Sequence, residues 1–216
     1  MTKIDPDAVL WRDAASGREG SHLLVVMHGY GSYEGDLFGL APALPEDITI
    51  ASLRAPVTLR PHAPQLQGSY AWAQLASENP DPALMDAPAQ AVIDWLDSLP
   101  ESFASIGLMG FSQGGAMTLQ LARMQPQRYA YLVQLSGFAD PTPHPGDDAL
   151  KAREPRIPAF QAWGTHDDII GQERTDAAIA WMRDHLDTEL HEYAMAHSVV
   201  PEEVADIAAF LQRVTG

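Results

Sequence analysis

The 216-residue chain contains no cysteine. Disulfides, thiolate nucleophiles and cysteine-bound metals are therefore excluded, and any covalent catalysis must use another side chain. The chain also lacks an apolar run near the ~20 residues that a membrane-spanning helix needs. No charged start followed by an apolar stretch precedes Trp11. We therefore expect a soluble, cytoplasmic protein without stable membrane association.

Basic residues are scarce, because 13 lysines and arginines stand against 29 aspartates and glutamates, for a net charge of −16. Such a protein repels phosphate backbones, so nucleic acid is not expected as a partner. A small neutral or cationic substrate is compatible with this charge. The length and the hydrophobic fraction of 46% fit one domain with one core. We expect a single domain over residues 1–216.

Apolar, β-rich stretches alternate along the chain with helical patterns. This alternation is typical of an α/β fold, in which helices cover both faces of a mostly parallel sheet. Apolar residues recur at helical spacing in segments 89–96, 178–186 and 201–214. The predicted strands are 23–27, 48–53, 105–109, 131–135, 158–163 and 189–195.

The segment 107–115 is an apolar run that stops at a serine flanked by glycines and then continues as a helical pattern. Residues 110–114 read GFSQG, which has the form G-x-S-x-G. In a nucleophile elbow the serine stands at a sharp strand-to-helix turn, and the glycines let strand and helix approach closely. The alternative is a simple turn with a helix-capping serine. As an elbow, the segment makes Ser112 the nucleophile and places the Gln113 amide where it would stabilise an oxyanion.

A serine nucleophile needs a general base and a third group that orients the base. In α/β hydrolases the serine comes first along the chain, then the acid, then the histidine. This order excludes His22, His28 and His62. His197 follows the last predicted strand and precedes the last helix, on a loop that would reach Ser112, and we predict that it is the base. The other histidines after the serine are His144 in a proline-rich loop, His166, His185 near a helix end and His191 within a predicted strand.

The orienting acid should follow the preceding strand, where residues 164–168 read GTHDD. The form G-x-x-D predicts Asp167 as the acid and Asp168 as a turn or helix-cap residue. His166 beside two aspartates also suggests a metal site, but it lacks a second ligand cluster at metal-binding spacing. We predict neither a metal nor a cofactor.

The second oxyanion donor should come from the loop after an early strand. The predicted strand 23–27 continues into HGYG at 28–31. Because glycines let a backbone amide point into a site, we predict that the Tyr30 N–H pairs with the Gln113 N–H. His28 is predicted to bridge loops by hydrogen bonds. The alternative for this segment is an ordinary glycine turn.

Apolar residues near the site loops are candidates for an acyl pocket, although each also suits core packing. Little sequence lies between the strands to build a large lid, so we expect an open site for short or medium acyl chains. The candidates are Phe38, Trp72, Phe111, Ile169 and Val199.

These motifs resemble the phospholipase/carboxylesterase family of α/β hydrolases, which includes acyl-protein thioesterases and small bacterial carboxylesterases. The resemblance implies an α/β-hydrolase fold and metal-free hydrolysis of carboxylic esters or thioesters, with Ser112, Asp167 and His197 as the triad. The chain departs from the family pattern at 72–74 and around Asp168 and Gly171. The resemblance therefore implies which type of bond is hydrolysed more clearly than which substrate carries that bond. The matching segments are 28–31, 54–56, 110–115, 164–167, 197–198 and 201–203.

The function predicted from these residues is a serine hydrolase that cleaves a small carboxylic ester through an acyl-enzyme. A lysophospholipase or an acyl-thioesterase of the same family is the alternative, and acyl transfer to an acceptor other than water would use the same triad. A hypothesis from another class is a non-catalytic ligand-binding protein on a hydrolase scaffold. Such proteins have usually lost part of the triad.

Overall fold

Nine strands lie within the residues that the computed structural model describes, namely 2–59, 69–74 and 82–216. They are β1 (Leu10–Arg12), β2 (His22–Met27), β3 (Ile48–Leu53), β4 (Val57–Thr58), β5 (Tyr70–Ala71), β6 (Ser105–Phe111), β7 (Tyr131–Leu135), β8 (Pro158–Gly164) and β9 (Asp187–Tyr193). Seven form the central sheet in the order β1-β3-β2-β6-β7-β8-β9, while β4 pairs with β5. Every neighbouring pair in the central sheet is parallel except β1 with β3. The mostly parallel sheet is confirmed.

All six predicted strands are present, with ends that differ by at most two residues. Strands β3 and β7 are buried along their whole length, as a near-continuous apolar run predicts for a parallel strand covered on both faces. Strands β1, β4 and β5 were not predicted from the sequence. These strands are two or three residues long and partly exposed, which is too short for a periodic pattern.

Helices cover both faces of the central sheet. They are α1 (Gly35–Phe38), α2 (Asp86–Asp97), α3 (Gln113–Met124), α4 (Asp147–Lys151), α5 (Gln172–His185) and α6 (Pro201–Thr215). On one face, Val92, Met117 and Met182 bring α2, α3 and α5 into one core cluster. On the other face, Leu37 of α1 and Phe210 of α6 belong to a second cluster. In the described part of the chain, no helix is both long and apolar enough to cross a membrane.

The parallel strands end at one common edge of the sheet. Strands β2, β6, β8 and β9 all point towards this edge, and the loops after them carry Tyr30, Ser112, Asp167 and His197. Ligands of open α/β sheets bind beyond the carboxyl ends of the strands. The topology therefore brings all four predicted functional segments to the same side of the molecule.

Glu203 is a fully buried carboxyl group in the first turn of α6. Its Oε2 accepts a hydrogen bond from the Val200 N–H at 3.4 Å, whereas its Oε1 has no partner among the described residues. Burial raises the pKa of Glu203 to about 7, well above the ordinary value of 4.5. The folded protein therefore keeps a proton on Glu203 at pH values where the unfolded chain has lost it.

We expect Glu203→Gln to become more stabilising, relative to the parent, as the pH rises. Between pH 4.5 and about 7 the folded parent binds more protons than the unfolded chain, so its free energy of unfolding falls with pH. The total loss is on the order of 3 kcal/mol, and an amide does not ionise. Chemical unfolding of both proteins at about pH 5 and pH 8 measures the difference, with the exposed neighbour Glu202→Gln as the control. Identical pH dependence in parent and variant would contradict the raised pKa.

Candidate active site

Ser112 lies between the end of β6 and the start of α3, in a strained backbone conformation. Its φ of 55° and ψ of −116° are rarely adopted by a residue with a side chain. The Ser112 N–H donates to the Leu135 carbonyl of β7 at 2.8 Å, and the Ser112 carbonyl accepts from the Ala116 N–H at 3.1 Å. These bonds attach the turn to the next strand and to the helix that follows. The sharp strand-to-helix turn expected of an elbow is present.

The glycines around Ser112 stand where no side chain fits. A Cβ atom on Gly110 would overlap the Gly114 carbonyl, and one on Gly114 would overlap the Met27 carbonyl and lie 2.7 Å from that of His28. These are backbone atoms that cannot rotate away. The two glycines therefore let β6, α3 and the end of β2 approach each other closely, which places the His28 loop beside the elbow.

Asp167 and His197 form a hydrogen-bonded pair after β8 and β9. His197 Nδ1 lies 2.7 Å from Asp167 Oδ2, and the two side chains are 16% and 3% exposed. Asp167 Oδ1 accepts the backbone N–H groups of Ile169 and Ile170, each at 3.0 Å. Burial alone would raise the pKa of Asp167, but the hydrogen bonds from His197 and the two amides outweigh it and lower that pKa. An ionised Asp167 that accepts the Nδ1–H leaves Nε2 of His197 free to take a proton.

The loops that carry this pair are bound to each other. The Thr165 N–H donates to the Tyr193 carbonyl at 2.9 Å, and the His166 N–H donates to the Met195 carbonyl at 3.0 Å. Gly164 permits this approach, because a Cβ there would overlap the Met195 carbonyl. The glycine of the G-x-x-D pattern thus has a physical role, which is to bring the two loops together.

His197 lies next to the elbow, since its ring packs on Phe111 with centroids 4.6 Å apart. Phe111 directly precedes Ser112. The structure therefore brings the predicted acid and base together and places the base beside the residue that precedes the predicted nucleophile.

Two other histidines after Ser112 stack on aromatic rings away from Asp167. His191 stacks on Phe160 and His185 stacks on Trp181, with ring centroids 4.2 Å apart in both cases. His62, which the chain order excludes, lies outside the described residues. Within the described ranges, no group of three histidine, aspartate and glutamate side chains is placed to hold a metal ion.

The two predicted oxyanion donors flank the elbow. Gly29 abuts it, because a Cβ on this glycine would lie 3.4 Å from the Ser112 Cβ. Tyr30 follows Gly29, and Gln113 is the first residue of α3. In the described part of the chain, neither the Tyr30 nor the Gln113 amide donates to a protein acceptor.

His28 bridges two loops, as its sequence position suggested. Its Nδ1 pairs with the Gly29 carbonyl at 2.7 Å, and its Nε2 accepts the Ala55 N–H at 3.1 Å. An Nε2 that accepts must be unprotonated, so the proton is on Nδ1. Burial lowers the pKa of His28, which keeps the ring neutral. This side chain connects the loop after β2 to the loop after β3.

Glu34 supports the loops beside the site and was not predicted from the sequence. Its carboxylate binds the Arg54 guanidinium, with Nε 2.8 Å from Oε2 and a second contact through Nη2. Burial would raise the pKa of Glu34, but the bond from Arg54 outweighs it and lowers that pKa. Arg54 also lies over the Tyr70 ring, 4.8 Å from its centroid. The pair joins the residue that precedes α1 to the loop after β3, and only Arg54 lies in a segment that resembles the family motifs.

The candidate acyl-pocket residues do not share one environment. Phe38, Phe111 and Val199 are half-buried against the same core cluster, on the face that α1 and α6 cover. Ile169 is 69% exposed, whereas Trp72 is only 1% exposed and belongs to the opposite cluster. Trp72 therefore lies in the core in this structure, and its indole N–H donates to the His28 carbonyl at 2.9 Å. Its burial and polar contacts indicate that Trp72 supports the loop that contains His28.

Comparison with known proteins gives a match over most of the chain. Residues 14–215 match the family described as Phospholipase/Carboxylesterase. Acyl-protein thioesterase 1 of Mycosarcoma maydis is 34% identical over 49% of this chain and 46% of its own, so that alignment spans less than half of the relative. Acyl-protein thioesterase 1 of Saccharomyces cerevisiae is 24% identical over 94% of this chain and 96% of its own. The crystal structure of Zea mays acyl-protein thioesterase 2 has the same fold, with a TM-score of 0.73, 21% identity and coverage of 96% and 99%.

Gly114→Ala should lower the stability of the protein far more than Gly17→Ala. The new methyl group would overlap the Met27 carbonyl, and overpacking against fixed backbone costs about 3 kcal/mol or more. Gly17 has a φ of 92° but open space around it, so alanine there adds only backbone strain, on the order of 1 kcal/mol. Thermal and urea unfolding of the two variants compare these costs. Equal losses would show that the close approach at the elbow is not constrained.

Proposed function

Because this chain belongs to the phospholipase/carboxylesterase family, we propose that it hydrolyses carboxylic esters with short to medium acyl chains through an acyl-enzyme on Ser112. The family makes the protein a serine hydrolase of the carboxylesterase or thioesterase type. The observation that carries the proposal is the 2.7 Å contact between Asp167 and His197 beside the strained turn of Ser112. A buried acid, an oriented base and an adjacent serine are the parts that nucleophilic acyl transfer requires.

Acylation begins when the Ser112 hydroxyl attacks the ester carbonyl carbon and its proton passes to Nε2 of His197. The carbonyl π electrons move to the oxygen, which the N–H groups of Tyr30 and Gln113 stabilise. Asp167 stabilises the imidazolium that forms. The tetrahedral intermediate then expels the alkoxide, which takes the proton from His197 and leaves as the alcohol.

Deacylation repeats these steps with water as the nucleophile. His197 takes a proton from water as the water oxygen attacks the acyl-enzyme carbonyl, and the same two amides bind the oxyanion. Collapse of this intermediate releases the carboxylic acid, and the proton returns from His197 to the Ser112 oxygen. The two steps predict a burst of alcohol release before steady state.

Thioester hydrolysis is a second candidate, favoured by the names of the two relatives described above. The steps are the same except that a thiol leaves in place of an alcohol. The nucleophile, base and acid assigned to the ester reaction serve both substrates.

Ser112→Ala and His197→Ala should each lower kcat/KM for p-nitrophenyl acetate by about 10³-fold or more, because each removes a member of one catalytic unit. A fluorophosphonate should label the parent but not Ser112→Ala. Ser198→Ala and His166→Ala change neighbours of the base and of the acid, and both should keep the activity of the parent. Full activity in the Ser112 or His197 variant would refute the triad assignment, and an unlabelled parent would favour a binding protein.

Activity on p-nitrophenyl esters should be highest between acetate and octanoate and should fall towards palmitate. Ile169 projects into solvent and Trp72 is buried in the core, so neither of these two candidates forms the wall of a deep acyl pocket. Measurement of kcat/KM along the series tests this, with a matched ester and thioester of one acyl group to compare the two leaving groups. An optimum at palmitate would contradict the proposed chain length but leave the triad assignment intact.

A further inference from the structure

The side chain of Gln113 connects α3 to the segment 69–73, which lies outside the central sheet. Its Oε1 accepts the Trp72 N–H at 2.8 Å, and its Nε2 donates to the Ala73 carbonyl at 2.8 Å. The side chain is 2% exposed, and its oxygen and its nitrogen each bind this backbone. The proposed function uses only the backbone N–H of Gln113, so these two bonds need another explanation.

The same segment also binds the loop that carries Tyr30. The Gly31 N–H donates to the Tyr70 carbonyl at 2.8 Å, and the Tyr70 N–H donates to the Ser32 carbonyl at 3.1 Å. The indole N–H of Trp72 donates to the His28 carbonyl at 2.9 Å. Three hydrogen bonds therefore attach segment 69–73 to the loop after β2, on both sides of Tyr30.

Segment 69–73 thus contacts both elements that supply the proposed oxyanion donors. Tyr30 is on the loop after β2, Gln113 is at the start of α3, and the segment binds to each of them. We propose that the Gln113 side chain is a positioning residue, which sets the distance between the two donor amides by fixing segment 69–73 to the elbow. This inference rests on the proposed acyl-enzyme reaction. It gives a role in that reaction to a side chain that does not touch the substrate.

The position of the two amides matters more for the transition state than for substrate binding. The ground-state carbonyl oxygen carries little charge, whereas the oxyanion of the tetrahedral intermediate carries a full charge and moves towards the donors. A small displacement of one amide therefore slows acylation without weakening substrate binding to the same degree. If a side chain only stabilised the fold, its replacement would lower the stability and leave the acylation rate of the folded protein unchanged.

The main test is Gln113→Met, which is close in shape but makes neither hydrogen bond and leaves the backbone N–H in place. Stopped-flow measurement of the p-nitrophenol burst separates the acylation rate constant from the apparent affinity for p-nitrophenyl acetate. We expect the rate constant to fall by about 10- to 100-fold, below the 10²–10³-fold effect of losing a whole donor. The apparent affinity should change by less than about threefold. The pH profile should keep its shape, because Asp167 and His197 are untouched.

Gln120→Met is the matched control on the same helix. Gln120 lies two turns after Gln113, is also buried, and donates from Nε2 to Asp86 of α2. This variant loses a buried amide and a hydrogen bond to another element, but it does not contact segment 69–73. It should melt at a lower temperature than the parent and acylate at the same rate.

Trp72→Phe tests the proposal if Gln113→Met does not fold. Phenylalanine keeps an aromatic ring in the core and removes the indole N–H that binds the His28 carbonyl. The acylation rate constant should fall by about 3- to 10-fold, a smaller loss because one hydrogen bond of several is removed. Loss of apparent affinity at an unchanged rate would instead make Trp72 a wall of the acyl pocket and overturn the proposal.

The outcomes also separate this inference from the proposed function. If Ser112→Ala keeps its activity, the acyl-enzyme reaction itself is wrong. If Ser112→Ala is inactive while folded Gln113→Met acylates as fast as the parent, the triad assignment stands and the positioning role of Gln113 is refuted.

Discussion

The close approach of α3 to the end of β2 is the constraint on which the site depends. Gly114 packs against the Met27 and His28 carbonyls with no room for a methyl group, and Gly110 packs against Gly114 in the same way. This contact forces the turn between β6 and α3 to be sharp, so Ser112 takes a backbone conformation that other residues rarely adopt. The hydrogen bond from the Ser112 N–H to β7 stabilises that conformation.

The predicted acid and base depend on a second close approach, between the loops after β8 and β9. Gly164 lets the backbone at Met195 come near, and two backbone hydrogen bonds join the loops before Asp167 and His197 meet. The geometry of this pair is therefore set by the backbone, and the side chains need only the rotamers that let them touch. The two close approaches are independent, since one joins β2 to α3 and the other joins β8 to β9.

The sequence predicted the parts of the fold that repeat or that need a special residue. Buried parallel strands appear as apolar runs, and tight approaches appear as glycines at fixed spacing, so the strands and the loops at 28–31, 110–114 and 164–167 could be located. The short strands β1, β4 and β5 have no period to detect. The contacts of Gln113 with residues 72–73 and of Arg54 with Glu34 join positions 20 to 41 residues apart, and no local pattern encodes such pairs.

The site combines elements that differ in how strongly the fold restricts them. The loops of Ser112 and Asp167 leave the parallel strands β6 and β8, each of which has a neighbour on both sides, and the loop of His197 leaves the edge strand β9, which pairs with β8 along its whole length. Segment 69–73 belongs to a separate two-stranded pair and is attached to these loops by hydrogen bonds and one buried tryptophan. A change in this segment would shift the two proposed oxyanion donors without moving the strands that precede Ser112, Asp167 and His197. The positions of the proposed donor amides and the geometry of the predicted acid and base can therefore vary separately.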